Sequence, residues 1–120
     1  MPVLYKVGKK DTRPWGTWEV IAVGAEYIVK RICVLPGKLL SLQLHRHRAE
    51  HWVVVEGAGT ITLGDNTFSA PQDTPIYIPV GVKHRMANLT DKPMTFIEIQ
   101  TGATLDESDI VRFEDSYGRV

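Results

Sequence analysis

The chain has 120 residues, 43% of them hydrophobic and 23% charged, and its fourteen basic and fourteen acidic side chains cancel to a formal net charge of zero. That length fits one domain with one real core, and the composition argues against disorder. The neutral balance gives no support to nucleic acid or an anionic membrane as a bulk partner, while leaving room for a local basic pocket that takes a small anion.

In chain order, the N-terminal "MPVLYKVGKKDTRPWG" has no apolar core long enough for a signal peptide. No apolar run approaches the ~18 residues of a membrane span, so the expectation is a cytoplasmic protein. A first β-like run covers Trp18 to Val23, and a second, rich in β-branched residues, covers Glu26 to Leu35. The single cysteine, Cys33, lies in that apolar run and is expected to be a buried small hydrophobe. Pro36-Gly37 breaks the run. Leu39 to His45 and His51 to Val55 follow, then a turn at Gly57-Ala58-Gly59 and a run from Thr60 to Leu63. Gly64-Asp65-Asn66 signals a hairpin whose return begins at Thr67-Phe68. Ile76 to Ile78, Arg85 to Asn88 and Met94 to Gln100 complete the set.

Turn signals recur about every 8–12 residues, the spacing of an all-β sandwich or barrel. No segment before Thr104 has a helical period. The prolines fall between runs or at their ends, where a strand tolerates them. The tail from Leu105 is polar apart from Ile110, Val111 and Phe113, and is expected to hold a short turn or strand packed across the rest. Residues 1–120 therefore read as a single domain, with an arm over about 1–17, a β body over about 18–102 and a tail over about 103–120.

The informative stretch is "SLQLHRHRAEHWVVVEG", Ser41 to Gly57. By strand alternation Leu42, Leu44 and Arg46 share one face, and Gln43, His45 and His47 the other. On a sandwich the second face would meet solvent; in a barrel with a cavity it would line the cavity, which explains the row of donors. Glu50 and His51 open the next run, and alternation from His51 turns Trp52 toward the core. Far downstream, "IPVGVKHRMAN" places His84 just after a tight turn at Pro79 and Gly81, with Asn88 beyond it. A lone histidine is usually a surface or satisfied core residue. The set of donors is what points to a metal site.

These two stretches resemble the cupin family. Its first motif is His-x-His, three or four residues, Glu, six residues, Gly; its second is Pro-x-Gly, two residues, His, three residues, Asn. The second fits through Pro79, Gly81, His84 and Asn88, with Asp73 where it usually opens on Gly. Counting back from Gly57 puts the glutamate at Glu50 and the pair at Gln43 and His45, so glutamine replaces the first histidine. The resemblance implies an all-β double-stranded β-helix of two antiparallel sheets, and Gln43, His45, Glu50 and His84 as metal ligands. A shorter register, with His47 or His51 in place of Gln43, stays open. Two imidazoles, a carboxylate and an amide oxygen suit Zn²⁺ foremost, and also Mn²⁺, Fe²⁺, Ni²⁺ or Co²⁺.

"RPWG", "YIVKRICVLPG", "FIEIQTG" and "DIVRFEDSYGR" extend the likeness over nearly the whole chain. Together they are similar to the type II mannose-6-phosphate isomerase domain, the cupin half of bifunctional mannose-6-phosphate isomerase/mannose-1-phosphate guanylyltransferases. This resemblance implies an aldose–ketose isomerase that interconverts mannose 6-phosphate and fructose 6-phosphate for GDP-mannose and surface polysaccharide. The nucleotidyltransferase domain is not in this sequence, so no GTP chemistry is expected on the chain, and a separate mannose-1-phosphate guanylyltransferase is one partner it could work with. Moving a proton between C1 and C2 needs a base, for which Glu50, His47, Glu114 and Asp115 are candidates. It also needs cations for the phosphate: Arg48, Arg112 and Arg119 foremost, then Arg13 and Lys83. Trp15 and Trp18 would stack on a sugar or seal a dimer. Competing expectations are a sugar-phosphate-binding module without activity and a metal-dependent dioxygenase. A homodimer in which N-terminal strands extend the partner's sheet is also expected.

Overall fold

The computed structural model describes residues 5–114. Eleven strands follow in order: β1 (Lys10–Arg13), β2 (Gly16–Val23), β3 (Tyr27–Val34), β4 (Leu42–Leu44), β5 (Ala49–Glu56), β6 (Gly59–Leu63), β7 (Asn66–Ala70), β8 (Pro75–Ile78), β9 (His84–Ala87), β10 (Met94–Thr101) and β11 (Val111–Glu114). They form two antiparallel sheets, one of six strands in the order β1-β2-β3-β10-β5-β8 and one of five in the order β11-β4-β9-β6-β7. This is the expected double-stranded β-helix. Among the described residues, no helix is long and apolar enough to cross a membrane.

The turn chemistry acts where the sequence marks it. Leu63 pairs with Asn66 across a two-residue turn in which Gly64 has φ +60°. Gly57 has φ +74°, and a Cβ there would meet the Pro93 carbonyl oxygen at 2.8 Å, so only glycine fits. Asp73, where the cupin motif usually has glycine, has φ +72°. A left-handed backbone explains why glycine is the family residue and why aspartate is tolerated.

Three sequence expectations need correction. The run from Leu39 to His45 shrinks to a three-residue β4, with Leu39 making only an isolated bridge to Ala87. β1 carried no apolar signal, because its sequence KDTR is polar throughout. Cys33 is half-buried, because Ile32 and Val34 beside it take the inner face of β3 and turn the cysteine outward.

The six-stranded sheet sets the interior. Its registers build cross-strand rows on the inner face. Trp18, Ile32, Phe96 and Val54 form one row; Val20, Lys30, Glu98, Trp52 and Ile76 the next; Ile28, Gln100, Glu50 and Ile78 the third. The first row is apolar and joins the main core with Val34, Leu40, Ile61, Met86 and Met94. The second and third rows carry buried polar groups, and the candidate site is there.

Candidate metal centre

Three residues from three elements converge. Glu50 lies on β5, His84 opens β9, and His45 follows β4. The Gly81 amide donates to the His45 carbonyl at 2.8 Å, which ties the Pro79–Gly81 turn to the loop after β4 and brings the two motifs together. His45 Nε2 lies 3.3 Å from Glu50 Oε2, and His84 Nε2 lies 3.7 Å from Glu50 Oε1. All three residues are buried, and their ligand atoms lie within 4.8 Å of one another. Ligands at about 2.0–2.2 Å from one ion stand roughly 3–4 Å apart, so the cluster is sized for a metal.

The outer nitrogens of both imidazoles are occupied. His45 Nδ1 is 2.6 Å from the Asp109 carbonyl oxygen, and His84 Nδ1 is 2.9 Å from the Val82 carbonyl oxygen. A carbonyl only accepts, so each Nδ1 carries the proton and each Nε2 lone pair faces Glu50. His84 is 0% exposed and its Nε2 has no hydrogen-bond partner. A buried orphan lone pair beside a carboxylate and a second imidazole is what a bound divalent ion would satisfy. Burial, with the Arg48 charge and His84 beside it, pushes His45 down to about 3, which keeps its ring neutral and able to ligate. The residues fit the metal.

Around the triad lies a polar network. Arg48 Nε donates to Glu50 Oε2 at 2.8 Å, and Arg48 Nη2 donates to His45 Nε2 at 3.2 Å. Trp52 Nε1–H reaches Glu50 Oε1 at 3.0 Å and Glu98 Oε1 at 3.2 Å, and Gln100 Nε2 donates to Glu98 Oε2 at 3.0 Å. Burial by itself would raise Glu50, but the Arg48 guanidinium against it holds its carboxyl below the usual range. Glu98 goes the other way: burial and then the Glu50 charge push it up, so it keeps a proton that it donates to Glu50. The two carboxyl groups thus share one charge.

A cavity of about 260 Å³ opens beside this network. Tyr5, Trp15 and Trp18 give it aromatic walls, and Lys30, Arg48 and Glu98 a charged one. Gln43, Arg13 and Arg112 also line it. Gln43 faces His84 on one side of its ladder and Arg112 on the other. Its cavity-facing position, with His45 in the triad, selects the cavity option over the solvent-facing one.

The remaining sequence candidates stand elsewhere. Arg48 is buried and committed to Glu50 and His45. Arg13 pairs with Asp11 at 2.9 Å. His47 is exposed and does not line the cavity, and its amide donates to Asp109 Oδ2 at 3.0 Å. His51 is exposed, with its ring 4.9 Å from that of Tyr77. Lys83 is exposed and sits over the Phe113 ring at 4.2 Å. Glu114 is exposed and pairs with Arg85 at 3.1 Å. Asp115 and Arg119 lie outside the described residues. Asn88 is a brace, donating from Nδ2 to the Val34 and Lys92 carbonyls at 2.9 and 2.7 Å. Sequence reasoning missed Lys30, Glu98, Gln100 and Asp109. The alternation in "FIEIQ" was a signal for two of them, but polar positions on a strand read as solvent-facing.

Comparison with known proteins gives the family and the fold. The family model described as "Mannose-6-phosphate isomerase C-terminal" matches residues 3–115. The chain belongs to that family. It is 50% identical over 111 residues to the xanthan biosynthesis protein XanB of Xanthomonas campestris pv. campestris (strain B100), covering 92% of this chain and 24% of that protein. It is 48% identical over 108 residues to the mannose-1-phosphate guanylyltransferase ManC of Salmonella typhimurium, covering 90% of this chain and 22% of that protein. The chain therefore spans about a quarter of the length of the curated relatives it matches. Among solved structures, the capsular polysaccharide assembling protein CapF of Staphylococcus aureus superposes with TM-score 0.75 at 22% identity, over 88% of this chain and 34% of that one. A double-stranded β-helix protein from Klebsiella pneumoniae gives TM-score 0.71 at 16% identity, over 94% of this chain and 91% of that one. At these identities the two structures speak to the fold alone.

Proposed function

We propose that this domain is a divalent-metal-dependent aldose–ketose isomerase that interconverts mannose 6-phosphate and fructose 6-phosphate, supplying mannose for GDP-mannose and polysaccharide synthesis. The observation that carries this reading is the junction of a buried His₂Glu triad with a cavity lined by cations and by a buried carboxyl that keeps its proton. The family match supports it, as do relatives named for xanthan synthesis and mannose-1-phosphate guanylyl transfer.

His45, Glu50 and His84 would hold the ion, with Gln43 as the fourth ligand; Zn²⁺ suits the donor set foremost, and Mn²⁺, Fe²⁺, Ni²⁺ and Co²⁺ fit it too. Bound there, the ion supplies Lewis acidity toward sugar oxygens. Arg48 keeps Glu50 ionised and fixed. Glu98 would be the general acid: the proton it keeps goes to O1 of the open aldose as the ionised Glu50 takes the proton from C2, and then Glu50 returns a proton to C1 while Glu98 takes the one on O2. Trp15 and Trp18 offer faces for the sugar carbons. We assign the domain to a homodimer joined through the β1 edge, acting in the same synthesis as mannose-1-phosphate guanylyl transfer.

One observation favours a second reading, a sugar-phosphate-binding module without turnover. None of His45, Glu50 and His84 lines the cavity, as Arg48 and Glu98 do. A coupled assay with mannose 6-phosphate, on metal-stripped protein reloaded with single divalent ions, separates the two. Turnover restored by one ion supports the isomerase. Mannose 6-phosphate binding without turnover under any ion selects the binding module.

A further inference from the structure

Lys30 is a buried cation that forms no ion pair among the described residues, although its charge acts on Glu98. It is 8% exposed and lines the cavity. No carboxylate oxygen of the described residues lies within 4.0 Å of its Nζ. Its Nζ lies 4.1 Å from the centre of the Tyr5 ring and 4.4 Å from that of Trp18. Glu98 stands directly opposite on the ladder, but its oxygens are bonded to Trp52 and Gln100. The neighbouring cavity cations are engaged: Lys9 with Glu107 at 2.7 Å, Arg13 with Asp11 at 2.9 Å, and Arg48 with Glu50 at 2.8 Å.

Burying an ammonium without an anion is costly. Ring faces offset part of that cost while leaving the N–H donors unspent, because a cation–π contact uses the charge and not the hydrogens. An ammonium clipped between two rings, beside a small-molecule cavity, is therefore prepared for an anion that arrives with the ligand.

We infer that Lys30 anchors the phosphate group of the substrate, its N–H donors taking phosphoryl oxygens while Tyr5 and Trp18 hold the side chain in place. This moves the main phosphate contact from Arg48, which braces the metal triad, to the opposite cavity wall. The assignment rests on the sugar-phosphate reading above, and it extends that reading to a residue.

The test is phosphorus NMR titration of the full chain with inorganic phosphate and with mannose 6-phosphate, on the native protein, Lys30→Met and Lys30→Arg, alongside isomerase turnover. Saturable binding of both probes is expected for the native protein. Lys30→Met should weaken both roughly tenfold or more, and Lys30→Arg should recover most of the loss. A folded Lys30→Met that binds both probes as tightly as the native protein overturns the inference, as does native protein with no saturable binding. Lys30-dependent phosphate binding without turnover sinks the isomerase reading and keeps the anchor. Turnover with KM unchanged in Lys30→Met does the reverse. Should Lys30→Met fail to fold, native protein carrying 5-fluorotryptophan decides: the Trp18 fluorine resonance should move as phosphate is added, and an unmoved resonance overturns the anchor.

Discussion

One face of β10 carries two unlike interiors. Met94 and Phe96 are fully buried, and Phe96 sits in a row with Ile32 and Val54. Further along the same face, Glu98 is 6% exposed and Gln100 0%, in rows with Lys30, Trp52 and Glu50. Burial is the same at both ends; the neighbours differ. At the apolar end, burial itself stabilises, at roughly 25 cal/mol per Å². At the polar end, desolvation works against folding, and hydrogen bonds among Glu98, Trp52, Gln100, Glu50 and Arg48 offset it. One end holds the barrel together so that the other can keep groups that do not favour being inside.

That contrast can be broken at either end. Phe96→Ala should cost about 3–5 kcal/mol in urea unfolding, the usual range for a fully buried aromatic. A loss well under 2 kcal/mol would mean the apolar end is not the foundation. At the other end, Glu98→Gln keeps the volume and the bond to Trp52. Turnover should fall about 10²–10⁴-fold with little change in unfolding free energy. Equal losses of stability and turnover would place Glu98 with the core and not with the chemistry.

A smaller effect is expected from acid. In the metal-free protein His45 sits at about 3, against 6.5 in the unfolded chain. The unfolded state therefore binds more protons between those values, so stability falls as pH drops from about 6.5 toward 3, by up to about 1.4 kcal/mol per pH unit. Glu98 acts oppositely, because its folded carboxyl keeps a proton that the unfolded chain releases near 4.5. Glu50, held below its usual range, acts in the same direction as His45 below about pH 4.5, so urea melts of metal-free Glu98→Gln read the histidine between about pH 6.5 and 4.5, and a flat profile there would contradict its neutral, buried state. Smallest is Asp109→Ala. Its carboxylate accepts the Arg46 and His47 amides at 2.9 and 3.0 Å and holds the carbonyl that orients His45. Metal affinity by competitive chelation should weaken about tenfold, and unchanged affinity would make that clamp irrelevant to the site.

The amino-acid sequence by itself determined the sheet class, the turns and most strand positions, since β-branched runs and glycine or proline punctuation act locally. It also marked His45, Glu50 and His84, because motif spacing along two short stretches is a local quantity. Tertiary structure decided which polar groups face inward. Strand alternation separates two faces but does not say which one the second sheet covers, so the burial of Glu98, Gln100 and Lys30 was decided only by the pairing of β3, β10 and β5. It decided the partner of Arg48 as well. A guanidinium two residues from a carboxylate reads equally as a ligand for phosphate or a brace for a metal site, and only closure of the barrel, which buries both groups together, selects the brace.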